Sequence, residues 1–146
     1  MAKVSHLGGM APPTTGEIQT FSTGDDRKRL TATALKAFRR LSERWQLDND
    51  EAAALLCVSP STWDRIKADR WDKTLSQDQM TRISAVVGVF KGLHLLFADA
   101  MADRWPRLPN KGAVFERRSP IEAMIKGGIP CMLETRQYVD ALRGGL

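Results

Sequence analysis

Apolar positions along this chain recur with a helical period. Leu30, Ala34, Phe38, Leu41 and Trp45 are spaced three or four apart, and Lys28, Lys36, Arg39, Arg40 and Arg44 fall mostly on the other side. That spacing predicts an amphipathic helix of about five turns. Its start lies near Asp25-Asp26, acidic residues suited to the positive end of a helix dipole. From Gln77 onward, Met80, Ile83, Val87, Phe90, His94, Phe97 and Met101 alternate steps of three and four. Val86, Val89, Leu93, Leu96 and Ala100 widen that face. A helix with so broad an apolar face must be buried on most sides, so it is expected to be a central beam joining two halves. A coiled-coil dimer seam is the alternative. No segment keeps a period of two, so no sheet is expected.

Polar signals punctuate the periodic segments. Asp48 with Glu51, Ser76 with Gln79, and Ser119 with Glu122 each have the spacing of a capping box, in which two side chains satisfy orphan backbone N–H groups. Ser59-Pro60 places a cap and then a proline at the first helical position. Trp105-Pro106 through Gly112 cannot continue a helix. A short helix from Pro120 is expected to stop at Gly127-Gly128, and Pro130 opens a last helix that ends at Gly144-Gly145. Residues 1–24 have no period and are rich in Gly, Pro, Ser and Thr, the pattern of a flexible tail.

Two of these predicted helices, 48–56 and 60–68, are joined by only Cys57-Val58-Ser59, the geometry of a helix-turn-helix. Ala53 is small, as a close helix crossing requires, and Leu56, Val58, Trp63 and Ile66 are expected inside. Ser61, Thr62, Asp64, Arg65 and Ala68 are then left facing out. The turn often carries glycine, so Cys57 takes a left-handed angle at a cost of about 1 kcal/mol. On DNA, Ser59 and the N–H groups behind it suit a phosphate. Ser61, Thr62 and Arg65 are candidates for base edges, and Lys67, Arg70 and Lys73 for the backbone. Asp64 opposes this, since a carboxylate is repelled by DNA unless it accepts from a cytosine amino group. A purely structural helical hairpin is the alternative. One helix-turn-helix usually works with a twin, which implies a homodimer.

Composition narrows the picture modestly. Of 146 residues, 42% are hydrophobic and 27% charged, with a net charge of +5, so a soluble globular protein with a preference for acidic partners is expected. The charge is diffuse: residues 25–75 hold eleven Lys/Arg against nine Asp/Glu, and residues 76–146 hold ten against seven. No basic face stands out. Cys57 and Cys131 have no metal-ligand spacing, which fits a reduced cytoplasmic protein without a metal. No signal peptide and no membrane span are expected. Only two histidines exist, His6 in the tail and His94 on an apolar face. A lone core histidine is more often a satisfied structural residue than a catalyst. Asp99 and Asp103 lack an accompanying nucleophile, metal set or phosphate loop. Cys57, in a tight apolar turn, is expected to disfavour its thiolate. An enzyme is therefore not expected, nor any cofactor.

The run Trp45-x-Leu47…Glu51-Ala52-Ala53-x-Leu55-Leu56-x-Val58-Ser59-x-Ser61-Thr62…Arg65, followed by Leu75-Ser76…Arg82-Ile83 and Leu95-Leu96-Phe97, resembles the N-terminal half of Xre/MbcA/ParS-type antitoxins. Trp105, Leu108-Pro109-Asn110, Phe115, Ser119-Pro120, Met124, Gly127-Gly128, Arg136 to Asp140 and Arg143-Gly144-Gly145 resemble the toxin-binding half. The resemblance implies an all-α fold: an N-terminal Xre/Cro-like helix-turn-helix domain (25–75) and a C-terminal helical toxin-binding domain (76–146), joined by the long central helix. It further implies a RES-domain toxin as partner, one that consumes NAD or ADP-ribosylates proteins. On that resemblance, the C-terminal segment is expected to cover the toxin's active site, and the protein to bind operator DNA and autoregulate its operon. Toxin-contact candidates are Trp105, Asn110, Phe115, Tyr138, Arg143, Gly144, Gly145 and Leu146. Large rigid side chains near turns are common interface anchors, although for Trp105 and Phe115 filling the local core is the preferred reading. Tyr138, Arg143, which can pair with carboxylates, and the terminal glycines are the stronger candidates. A stand-alone dimeric helix-turn-helix regulator is the alternative function.

Overall fold

The computed structural model describes residues 19–144. These form six α-helices and one 3₁₀ turn: α1 (Gly24–Arg44), α2 (Asn49–Leu56), α3 (Pro60–Lys67), α4 (Gln77–Leu96), α5 (Asp99–Arg104), the turn Trp105–Arg107, and α6 (Pro120–Gly144). No strand occurs among the described residues. None of their helices is long and apolar enough to cross a membrane.

The helix starts follow the polar signals. Thr23 caps α1 by accepting from the Asp26 N–H. At α2 the Glu51 N–H donates to Asp48 at 2.7 Å, while the Asp48 N–H donates to Glu51 at 3.0 Å. The same reciprocal pair forms at Ser76 and Gln79 and at Ser119 and Glu122. The Ser119 N–H and hydroxyl that bond Glu122 hold its carboxyl below the usual carboxylate range. Each such cap contributes on the order of 1 kcal/mol.

α4 is the beam. It packs most extensively against α6, then against α1, and also touches α2 and α5. Met80, Ile83, Ala85, Val86, Val87, Val89, Phe90 and Leu93 are buried around most of its circumference. It ends sooner than the periodicity predicts. Phe97 and Ala98 are extended, and α5 starts afresh at Asp99, so Ala100 and Met101 belong to a second helix. The break has a polar partner: the two ring nitrogens of His94 lie 3.0 Å from Asp99 and 2.8 Å from Asp103. In a continuous helix, positions 94 and 99 would face different sides, so one ring reaches both carboxylates because the chain has turned. Arg44 of α1 also holds Asp103, at 2.9 Å.

α6 is two segments. Gly128, at φ 68° and ψ −152°, breaks it where the Gly127-Gly128 stop was expected, in a region of backbone space open essentially to glycine alone. The second segment runs alongside α4 in the same direction. A Cβ at Gly92 would lie 2.7 Å from Val139, so that glycine sets the closeness of the two helices. One connected core results, with Trp45, Leu56, Trp63, Phe90, Phe115, Met124 and Val139 among its members. Burying each of these side chains contributes about 1.5–3 kcal/mol.

Of the flexible tail expected over residues 1–24, residues 1–18 lie outside the described ones. The last part is anchored: Phe21 is buried at 3% exposure, and Arg27 donates to its carbonyl at 2.9 Å. Periodicity gave no warning of this, since Phe21 stands alone among polar neighbours.

Candidate functional site

The helix-turn-helix geometry is built by α2, α3 and the three residues between them. Cys57 adopts φ 61° and ψ 50°, the left-handed angle expected for the turn. Its side chain is exposed, however. The expectation of an apolar surround was wrong for Cys57, because the same left-handed turn that joins the helices swings its Cβ outward. The buried thiol is Cys131, which burial pushes above the usual thiol range.

α3 is seated by two residues. Trp63 meets Phe38 of α1 edge to face at 5.4 Å, and Ile66 is 1% exposed. Arg39 of α1 donates to the Ile66 carbonyl at 3.2 Å, a support the sequence did not single out. Ser61, Asp64, Arg65 and Ala68 face solvent, as the helical period requires, and Thr62 is half-buried.

The polar groups on this face are partly engaged with one another. Ser59 accepts from the Thr62 N–H at 3.1 Å and donates to the Thr62 hydroxyl at 3.0 Å, with the Ser61 hydroxyl 3.2 Å away. Arg65 reaches the same Thr62 hydroxyl at 3.3 Å. That bond is long, and it leaves most of the guanidinium donors free for another acceptor. Lys67 is committed to Asn49 at 2.7 Å, tying the end of α3 to the start of α2. Arg70 and Lys73 are exposed, and so are Asp64, Asp69 and Asp72, which gives the face mixed charge.

The C-terminal candidates are placed differently. Trp105, Phe115 and Tyr138 form one aromatic nest. Phe115 lies edge-on to Tyr138 at 5.2 Å and to Trp105 at 5.8 Å, and Trp105 stacks on Tyr138 at 6.1 Å. Phe115 is 0% exposed and Trp105 8%. These two are walls of the core, the reading preferred for them from the sequence, whereas Tyr138 is half-buried.

Asn110 is a loop staple. Its backbone exchanges hydrogen bonds with Arg117 and Arg118, and its side chain accepts from the Gly112 N–H at 2.8 Å. Gly112 lets that loop close over the nest, since a Cβ there would crowd Asn110, Tyr138 and Phe115. Arg143 is exposed and pairs with Asp140 at 3.1 Å, and Gly144 is open on all sides. Gly145 and Leu146 lie outside the described residues.

Arg107 links the two regions. It donates to the Trp45 and Gln46 carbonyls at 2.8 and 2.7 Å and to Glu51 at 2.6 Å. It therefore satisfies carbonyls at the end of α1 and grips the capping residue of α2 at once. No period or motif marked it, because its partners lie more than fifty residues away. Among the described residues no three His, Cys, Asp or Glu side chains are grouped to hold a metal ion.

Residues 26–88 match the family model described as the antitoxin Xre-like helix-turn-helix domain. A protein of Sinorhizobium fredii (strain NBRC 101917 / NGR234), named uncharacterized protein y4oB, is 34% identical over 132 residues, covering 90% of this chain and 99% of that protein. No solved structure matches the chain.

Proposed function

The chain belongs to one family with the rhizobial protein y4oB and carries an antitoxin Xre-like helix-turn-helix domain, and from that premise we propose that it is an antitoxin of a RES-domain toxin. In this reading it is a binding protein with two working surfaces. The C-terminal region engages the toxin and blocks its NAD-dependent chemistry. The outward face of α3 binds operator DNA and represses the operon, with Arg65 as the base-reading side chain and Arg70 and Lys73 on phosphates. A homodimer in the cytoplasm would place two such helices on successive half-sites.

The observation that carries the reading is the match over residues 26–88 together with an α3 whose outer face is left to solvent. The resemblance of the C-terminal run supports the toxin assignment. Co-expression tests it. A RES-domain protein found encoded beside this chain should arrest growth alone, and growth should return with the full-length chain. Arg65→Ala should restore growth equally well while losing repression. If the full-length chain gives no rescue but represses its own promoter, the stand-alone regulator is the correct function.

A further inference from the structure

Most arginines that lie against the body of this protein have an assigned acceptor. Arg44, Arg82, Arg107, Arg118 and Arg143 each hold a carboxylate. Arg136 of α6 does not. It lies across α4 at Gly88, where a Cβ would come within 2.5 Å of its Nε and 2.6 Å of its Cζ. Its one hydrogen bond is a marginal 3.5 Å contact to the Ser84 carbonyl. The glycine thus gives the guanidinium room to lie against the helix, while the residue stays exposed and most of its donors are left to solvent.

Lys91 stands three residues past that seat and is half-buried. It has no hydrogen-bond or ion-pair partner among the described residues. Its ammonium is held below the usual lysine range, first by burial and then by the nearby charge of Arg136. The carboxylate nearest this pair is Asp140, one turn on from Arg136 and 3.9 Å from where a Cβ on Gly92 would stand, and it is taken by Arg143 at 3.1 Å. Two cations kept together with no carboxylate bonded to either destabilise the free protein slightly, and an incoming anion relieves that cost.

The flanks are apolar. Leu95, one helical turn beyond Lys91, is 71% exposed, and Leu133, one turn before Arg136, is 44% exposed. Lys91 and Leu95 thus share one face of α4, and Leu133 and Arg136 one face of α6. Arginine is the charged side chain enriched at protein interface centres, where surrounding contacts exclude water from it, and the exposed leucines can supply such contacts around Arg136.

We propose that the Arg136–Lys91 pair on Gly88 is a carboxylate-binding seat that receives an acidic side chain of the toxin, with Leu95 and Leu133 packing on either side. The proposal rests on the antitoxin reading and moves the centre of the toxin contact from the aromatic nest to the α4–α6 face. DNA phosphate is the less fitting anion, because α3 packs against α2 and the seat lies on α4 and α6.

Two measurements on the full-length protein test it. In the first, the side-chain N–H signals of arginine and lysine are followed by NMR during titration with hexaglutamate, and separately with a short non-operator duplex. Arg136 and Lys91 should move saturably with hexaglutamate, and further than the exposed Arg40 and Arg70. In Gly88→Ala, which keeps both charges but displaces the guanidinium, the Arg136 response should disappear. Equal movement of all exposed arginines, or a response to the duplex alone, would overturn the seat.

In the second, affinity for the co-expressed RES-domain protein should fall roughly tenfold in Arg136→Ala and in Lys91→Ala. The melting temperature should not fall, since neither side chain has a strong intramolecular bond to lose and removing either cation relieves the other. Undiminished affinity would contradict the proposal. A wild-type chain that captures no toxin would remove the antitoxin reading, while the titration would still decide whether the seat binds carboxylates.

Discussion

The outward face of α3 and the nest around Phe115 were both marked by residue type, yet the structure uses them in opposite ways. On α3 a regular helix sorts the side chains: Trp63 and Ile66 go in, and Ser61 and Arg65 are left out. In the nest, Trp105, Phe115 and Tyr138 come from a 3₁₀ turn, an irregular loop and a distant helix, and they meet one another. A large aromatic beside proline and glycine reads the same whether it faces a partner or a core. Only a periodic element tells the two apart, because the period fixes which direction is inward. The lesson is that interface candidates taken from loops need a second sign, such as unspent hydrogen-bond donors. Arg136 has that sign and Phe115 does not.

The contrast can be broken by substitution. Phe115→Ala should cost about 3–5 kcal/mol in urea unfolding, because a fully buried ring leaves a cavity between Trp105 and Tyr138. A loss below about 1 kcal/mol, accompanied by weakened toxin binding, would return Phe115 to the surface role. Arg65→Ala should weaken operator binding by about 1–3 kcal/mol in a gel shift and leave unfolding unchanged, since its one internal contact is long. An operator affinity equal to wild type would leave α3 without a base-reading arginine.

Asp48→Ala should cost about 1 kcal/mol of stability through the loss of the cap at the start of α2. A larger effect is not expected, because Arg107 keeps its bonds to the Trp45 and Gln46 carbonyls. Thiol labelling draws the finest distinction. Folded protein should react at Cys57 alone, with Cys131 appearing on unfolding. Fast labelling of both would mean that the face of α6 bearing Cys131 opens in the native state.

Much of the fold was legible because its signals are local. The three capping boxes, the left-handed turn at Cys57, the inward set of the helix-turn-helix and the break at Gly128 each depend on residues within a few positions of one another, whereas helical backbone runs on as a 3₁₀ turn through Trp105–Arg107, where a stop was expected. What escaped was long-range or aperiodic. The apolar pattern ran on through Met101, so the turn at Phe97-Ala98 was hidden, and it is recognisable only from the His94 ring bonding two carboxylates across it. Phe21 has no periodic neighbours to announce its burial. Arg107 and Arg136 depend on partners brought near by the fold, Glu51 and Gly88, and no spacing rule connects such pairs. For the same reason the DNA candidates Arg65, Arg70 and Lys73 face outward where the helix or the following loop leaves them exposed, while Lys67 is drawn into a bond with Asn49.

Antitoxin action itself can be measured without reference to DNA or to any single residue. If the partner is the RES-domain toxin proposed above, it consumes NAD by either of its chemistries, and the rate of NAD loss reports the free toxin. Adding an equimolar amount of the folded full-length chain should bring that rate to background, and Arg65→Ala should do the same. An unchanged rate in the presence of excess chain would contradict the account.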